Sequence, residues 1–245
     1  MLKLKDINLS YGKRRILKDI NAQFSPGVLY GIVGPNGTGK STLLNVIARD
    51  LKMDSGEIYL SGQPVYKYSN KEMARKLSYM RQNTSIKFPY TVRELVGMGR
   101  YCHDRETNIE MEQIVCEKII ENDLDDFADK PLTTLSGGEV QRAVFAKILA
   151  QESDVILVDE GLSNADIFYK IKFFEQLRKE VNKGKLVIIV IHDLFFARKF
   201  CDELLILDKK GVYAFGKSEE VLNRTTLKEV FKVQGDFINH ILISE

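Results

Sequence analysis

The sequence predicts an α/β fold: a mostly parallel sheet covered on both faces, an antiparallel β part at the N-terminus and an inserted α-helical subdomain, all within one domain. Three observations predict it. Val155-Ile156-Leu157-Val158 and Leu186-Val187-Ile188-Ile189-Val190-Ile191 are unbroken apolar runs joined by a helical stretch, the pattern of strands buried on both faces. Residues 1–33 alternate apolar and polar side chains, which suits short antiparallel strands. Between Asn83 and Leu135 the periodicity turns helical, dividing the core into 1–82 and 136–245 around an insertion of 83–135.

Along the chain, Leu2, Leu4 and Ile7, then Ile16, Ile20 and Phe24, mark the opening strands, separated by Tyr11-Gly12 and closed by the turn Ser25-Pro26-Gly27. Val28-Leu29-Tyr30-Gly31-Ile32-Val33 reads as a buried strand running into Gly34. Turns at Asp54-Ser55-Gly56 and Ser61-Gly62-Gln63-Pro64 bracket a strand from Glu57 to Leu60, and Leu77 to Arg81 is a strand that delivers Gln82 at its end. Ser69 with Glu72, Thr91 with Glu94 and Thr107 with Glu110 have capping-box spacing: the hydroxyl accepts from the N–H three residues on, and the carboxylate accepts from the cap's own N–H. The last two lead into apolar residues, Val92, Leu95 and Val96, then Ile109, Ile114 and Ile119. The helix after Val158 is expected to end near Lys183-Gly184, where glycine suits the left-handed position past a helix end. A hairpin about Lys209-Lys210-Gly211 and short helices near Ser218 and Leu227 follow.

Gly34-Pro35-Asn36-Gly37-Thr38-Gly39-Lys40-Ser41-Thr42 reads G-x-x-x-x-G-K-S between a buried strand and an apolar helix, the setting of a P-loop. Its glycines let backbone N–H groups turn toward phosphate oxygens, the helix N-terminus adds partial positive charge, and Lys40 reaches the β and γ phosphates. Ser41 is placed to ligate Mg²⁺. These residues predict binding of a nucleoside triphosphate. The strand from Val155 ends in Asp159 and Glu160, and adjacent acids at a buried strand tip have no structural use. Beside a P-loop, Asp159 can hold Mg²⁺ and Glu160 can polarise the water that attacks the γ phosphate. Leu135-Ser136-Gly137-Gly138-Glu139 precedes another helix. Taken alone it is a capped helix start or a second anion site.

Together with the P-loop, Leu135-Ser136-Gly137-Gly138-Glu139 resembles the signature motif of ATP-binding cassette (ABC) proteins, and the likeness covers essentially the whole chain with its motifs in family order. The resemblance implies that Tyr11 stacks on adenine, that Gln82 senses Mg²⁺ and the attacking water, and that His192 contacts the γ phosphate. It also implies two copies paired head to tail, so that residues 135–139 of one complete the ATP site of the other, with Ser163 and Asp166 at that interface. Where the family usually has Pro-Thr-Ser-Ala-Leu-Asp, this chain has Gly161-Leu162-Ser163-Asn164-Ala165-Asp166. Gly161 frees a backbone that proline would restrict.

Thr91-Val92-Arg93-Glu94-Leu95-Val96 and Gly99-Arg100-Tyr101-Cys102-His103 resemble a segment of importers of iron-siderophores, haem and vitamin B12, in which proline usually stands where Cys102 is. An amphipathic helix serving only the subdomain core is the alternative. The resemblance implies a peripheral ATPase subunit on the cytoplasmic face of the cell membrane, with transmembrane permease subunits docked near residues 83–135 and an extracytoplasmic substrate-binding protein. An ABC ATPase of another transporter class, or a soluble or weakly hydrolysing regulatory ABC protein, is the other reading.

Composition narrows these options. The 36 basic and 34 acidic side chains leave a net charge of +2, which provides no global field for nucleic acid. Cys102, Cys116 and Cys201 are scattered, which argues against a disulfide framework or zinc site and for a reducing compartment. Met1 to Ile7 alternates apolar and charged residues and reads as no secretory signal, and no apolar run approaches the roughly 18 residues of a spanning helix.

Overall fold

A computed structural model of the chain describes residues 1–82, 88–160, 166–233 and 241. The opening strands β1 (Leu2–Tyr11), β2 (Arg14–Phe24), β4 (Ser55–Leu60) and β5 (Gln63–Pro64) form an antiparallel sheet in the order β2-β1-β4-β5. A second sheet holds β3 (Leu29–Val33), β6 (Leu77–Met80), β7 (Val155–Asp159), β8 (Leu186–Val190), β9 (Glu203–Asp208) and β10 (Gly211–Lys217), ordered β10-β9-β3-β8-β7-β6. Its first five members in sequence pair in parallel, and β10 returns antiparallel to β9 through the expected hairpin.

Unbroken apolar strands arise because both faces of this sheet are covered. Along β7, Val155 and Leu157 enter a core shared with the antiparallel sheet and α1 (Lys40–Ile47), while Ile156 and Val158 enter a core on the opposite face. In β8 the same division separates Leu186, Ile188 and Val190 from Val187 and Ile189. Successive side chains on a strand point to opposite faces, so a strand between two cores has no position left for a polar residue. Each such side chain contributes about 1.5–3 kcal/mol of burial.

The three expected capping boxes are all present, at the starts of α2 (Asn70–Lys76), α3 (Val92–Gly97) and α4 (Asn108–Glu121). On α4 the buried apolar pair is Val115 and Ile119, four residues apart, whereas Ile109 is exposed. The spacing Ile109-Ile114-Ile119 steps by five and drifts off one helical face, so that Ile119 is buried, Ile114 only partly so against the same core, and Ile109 not at all. Helix α5 (Gly137–Ala150) packs against both α3 and α4. Helix α6 (Ile167–Asn182) ends with Lys183 and with Gly184 at φ +85°, as anticipated. Helices α7 (Leu194–Phe200), α8 (Ser218–Val221) and α9 (Arg224–Glu229) complete the α-helices among the described residues.

All three cysteines are free thiols. Burial pushes the Cys201 thiol up to about 12, so it behaves as an inert core residue. Among the described residues no helix is long and apolar enough to cross a membrane.

Candidate nucleotide site

Parallel pairing brings the ends of β3, β8, β7 and β6 to one edge of the sheet, in that lateral order. Gly34 follows β3, His192 lies two residues past β8, Asp159 and Glu160 finish β7, and Gln82 lies two residues past β6. Ligands of open α/β sheets bind in the crevice outside such strand ends. The four motifs therefore meet through topology, although up to 158 residues separate them (His192 against Gly34).

The P-loop is held tightly at its base. Gly34 has φ +152°, and a Cβ there would run into the carbonyl oxygen of Leu207 on β9, so only glycine fits. Gly39 caps α1 at φ +96°, packed against Ile16 and Leu17 of β2. Thr38 Oγ1 donates to the Pro35 carbonyl at 2.9 Å, tying one side of the loop to the other. The Lys40 side chain is 5% exposed, and its ammonium donates to the carbonyls of Gly34 at 2.8 Å and Pro35 at 3.1 Å. Burial lowers its pKa, opposed by the nearby charges of Glu160 and Asp159. Asn36 and Gly37 are exposed at the loop tip, Pro35, Ser41 and Thr42 are half-buried, and the Arg14 guanidinium of β2 lies beside Gly37.

Asp159 is 4% exposed and accepts a 2.8 Å hydrogen bond from Ser41 Oγ. Burial raises its pKa, a shift that the Ser41 hydrogen bond counters. This pair fits Mg²⁺: both are hard oxygen donors on the phosphate side of the loop. Among the described residues no three His, Cys, Asp or Glu side chains are arranged so as to hold a metal ion by themselves. A cation that takes one or two protein oxygens and fills its remaining positions with phosphates and water needs no more.

Glu160 is the convergence point. Its Oε2 accepts from Gln82 Nε2 at 2.7 Å, and its Oε1 is in contact with His192 Nε2. The backbone of Glu160 is left-handed, with φ +51°, and its N–H reaches the Val190 carbonyl at 3.4 Å. A non-glycine residue in that region carries strain of order 1–3 kcal/mol. Asp193, next to His192, caps α7 by accepting from the N–H groups of Phe195 and Phe196.

The remaining anticipated residues lie apart from this cluster. Tyr11 is exposed at the end of β1. Ser136 caps α5 in a fourth capping box, accepting from Glu139 N–H while the Glu139 carboxylate accepts from Ser136 N–H at 2.7 Å. Gly137 and Gly138 next to it are exposed, with no atom within 4 Å of where a Cβ would stand, while Leu135 packs against the core. Asp166 caps α6, accepting from Tyr169 N–H at 3.0 Å. Ser163 and the rest of 161–165 lie outside the described residues.

The Gly99-Arg100-Tyr101-Cys102-His103 segment divides into two groups by burial. Gly99 presses on the backbone of α5. Arg100 is 1% exposed and bonds Glu106 at 3.0 Å and Glu152 at 2.8 Å as well as the Ala150 carbonyl; His103 Nε2 contacts the Gln151 carbonyl. These residues lock the segment to the C-terminal end of α5, whereas Tyr101 stands 76% exposed.

Strand, glycine loop and helix, with a carboxylate-tipped strand one place removed in the same sheet, define a P-loop nucleotide-binding cassette. The family model described as ABC transporter matches residues 17–163. The petrobactin import ATP-binding protein YclP of Bacillus subtilis is 34% identical over 233 residues, covering 94% of this chain and 92% of that one. The hemin import ATP-binding protein HmuV of Pseudomonas putida is 34% identical over 238 residues, covering 95% and 93%. Among solved structures, the dimeric post-hydrolysis state of the MJ0796 cassette bound to ADP and Pi superposes with a TM-score of 0.79 at 28% identity, covering 89% of this chain and 99% of that one. The chain belongs to the ABC transporter family, among its ATP-binding proteins.

Sequence reasoning missed Asn45, Tyr79, Arg81 and Arg14. The first three carry a signal: Asn45 is four residues after Ser41 on the same helix face, and Tyr79 and Arg81 share one face of the strand leading to Gln82.

Proposed function

We propose that the chain is the ATP-hydrolysing subunit of a membrane importer for an iron chelate, haem or cobalamin-type cofactor, acting from the cytoplasmic face. The convergence of Gln82 and His192 on Glu160, beside the Ser41–Asp159 pair, carries this reading. Residues 34–42 cradle the phosphates, with Lys40 bringing its charge to the β and γ groups and Tyr11 stacking on the base. Ser41, Asp159 and Gln82 would hold Mg²⁺, which would neutralise phosphate charge when bound. Glu160 takes a proton from the attacking water, Gln82 orients it, and His192 donates to the γ-phosphate oxygens.

Residues 135–139 complete the site of a second copy, with Ser163 and Asp166 at the interface, so that turnover requires a head-to-tail homodimer. The exposure of Ser136, Gly137 and Gly138 supports this, because the two glycines have open space around them. The insertion at 83–135 receives the permease, and an extracytoplasmic binding protein supplies the substrate. Support for the substrate class comes from the named relatives, which import petrobactin and hemin.

The test is Mg²⁺-dependent ATPase activity and uptake of radiolabelled ferric siderophore, haem or cobalamin by the chain reconstituted with its copurified permease in liposomes. Stimulated turnover with uptake of one of these is expected. A permease that moves amino acids or exports its cargo overturns the substrate assignment, and absence of turnover in the complex overturns the hydrolytic one.

A further inference from the structure

We infer that Tyr79 is a positioning residue that sets Gln82 against Glu160 by anchoring the tip of β6 to the P-loop helix. The inference rests on the site reading above and adds to it a residue that touches neither nucleotide nor water. Its hydroxyl donates to Asn45 Oδ1 at 3.1 Å. Asn45 lies one helical turn beyond Ser41 on α1, so the two project from one face: Ser41 reaches Asp159 at the tip of β7, and Asn45 reaches Tyr79 on the neighbouring strand.

Two residues on, Arg81 repeats the attachment. Its guanidinium lies over the Tyr79 ring at 5.4 Å and bonds Asp50, just past α1, at 2.8 Å. Met80 between them points to the opposite core. Side chains on a strand alternate, so Tyr79 and Arg81 clamp one face of the strand end to α1 and its following turn. Gln82 emerges immediately after this clamp and places Nε2 2.7 Å from Glu160.

A side chain held within hydrogen-bond reach by such support loses reactivity when displaced by a fraction of an ångström. Gln82 itself is exposed and has little packing of its own to fix it. The geometry of β6 therefore has to do so, and its register with α1 depends on the Tyr79–Asn45 bond.

The experiment is a double-mutant cycle on the dimeric chain in complex with its permease: Tyr79→Phe, Gln82→Ala and both together. It reads kcat at saturating Mg-ATP and, separately, affinity for a non-hydrolysable ATP analogue. Tyr79→Phe should lower kcat about tenfold, the scale of one lost hydrogen bond, with analogue affinity within about twofold of the parent. In the Gln82→Ala background the same change should cost less than about twofold, because the residue it positions is gone. Asn45→Ala, which removes the acceptor and leaves the ring in place, should behave like Tyr79→Phe and serves in its stead if that variant does not fold. Unchanged kcat in both variants overturns the inference, as does a Tyr79→Phe loss that multiplies in full onto Gln82→Ala, since that marks general destabilisation. If Gln82→Ala itself turns over at the parental rate, the site reading fails instead, and the two failures are distinct.

Discussion

The two glycine-rich helix starts of this chain solve the same electrostatic problem in opposite ways. At the P-loop, Lys40 and Asp159 are buried, and each has a partner within the chain: backbone carbonyls for one, Ser41 for the other. At Ser136, the helix start is exposed and closes on itself, with Glu139 supplying the negative charge that its N-terminus favours. The first region carries buried charge beside a glycine loop that suits phosphate. The second is stable in water with no ligand. Under the proposed head-to-tail pairing, one chain would contribute a primed half-site and a passive half-site, each completed by a second copy.

The sharpest way to break this comparison is Glu160→Gln. It should lower phosphate release by about 100-fold or more, the scale of a lost general base. ATP binding should persist and ATP should trap a dimer detectable by analytical ultracentrifugation; full turnover would remove Glu160 from its role. Lys40→Ala should weaken nucleotide binding on the order of 100-fold in a titration calorimetry experiment, as a buried charge-assisted contact to phosphate is lost. Unchanged affinity would mean that the primed half is not primed.

Ser136→Ala addresses the passive half. We expect turnover to fall about tenfold and the helix to lose about 1 kcal/mol of capping, while the affinity of a single chain for nucleotide stays the same. A drop in that affinity would show that the two halves act within one chain. The smallest effect concerns stability. Burial raises the Asp159 pKa above its value in the unfolded chain, so at neutral pH the ionised carboxyl costs stability; that cost is constant above the raised value, shrinks as pH falls through it and is gone below the unfolded value. Asp159→Asn should accordingly raise the melting temperature measured without nucleotide by about 2–4 °C, while abolishing Mg²⁺-dependent turnover. A lower melting temperature would show that the Ser41 hydrogen bond outweighs the burial.

Much of the fold is readable from residues alone, for identifiable reasons. Two-face burial leaves an unbroken apolar run in β7 and β8, and a capping box needs only four adjacent positions, so Ser69, Thr91 and Thr107 mark their helices correctly. The Ile109-Ile114-Ile119 stripe misleads because composition is legible and helical phase is not: Val115 takes the buried place that the stripe leaves out. Arg100 is equally hidden, since an arginine in an exposed-looking G-R-aromatic segment carries no sign that it will be enclosed by Glu106, Glu152 and the end of α5.

By itself the sequence determined what depends on neighbours in the chain: the P-loop, its following helix, the acidic strand tip, the helix caps and, through the order of motifs, the family. The tertiary structure alone decided which distant groups meet. Parallel pairing in the order β3-β8-β7-β6 delivers Lys40, His192, Glu160 and Gln82 to one edge, and α1 passes close enough for Asn45 to accept the Tyr79 hydrogen bond. Strand order follows from how two cores close over a twisted sheet, a property of the whole chain that no single stretch of it encodes.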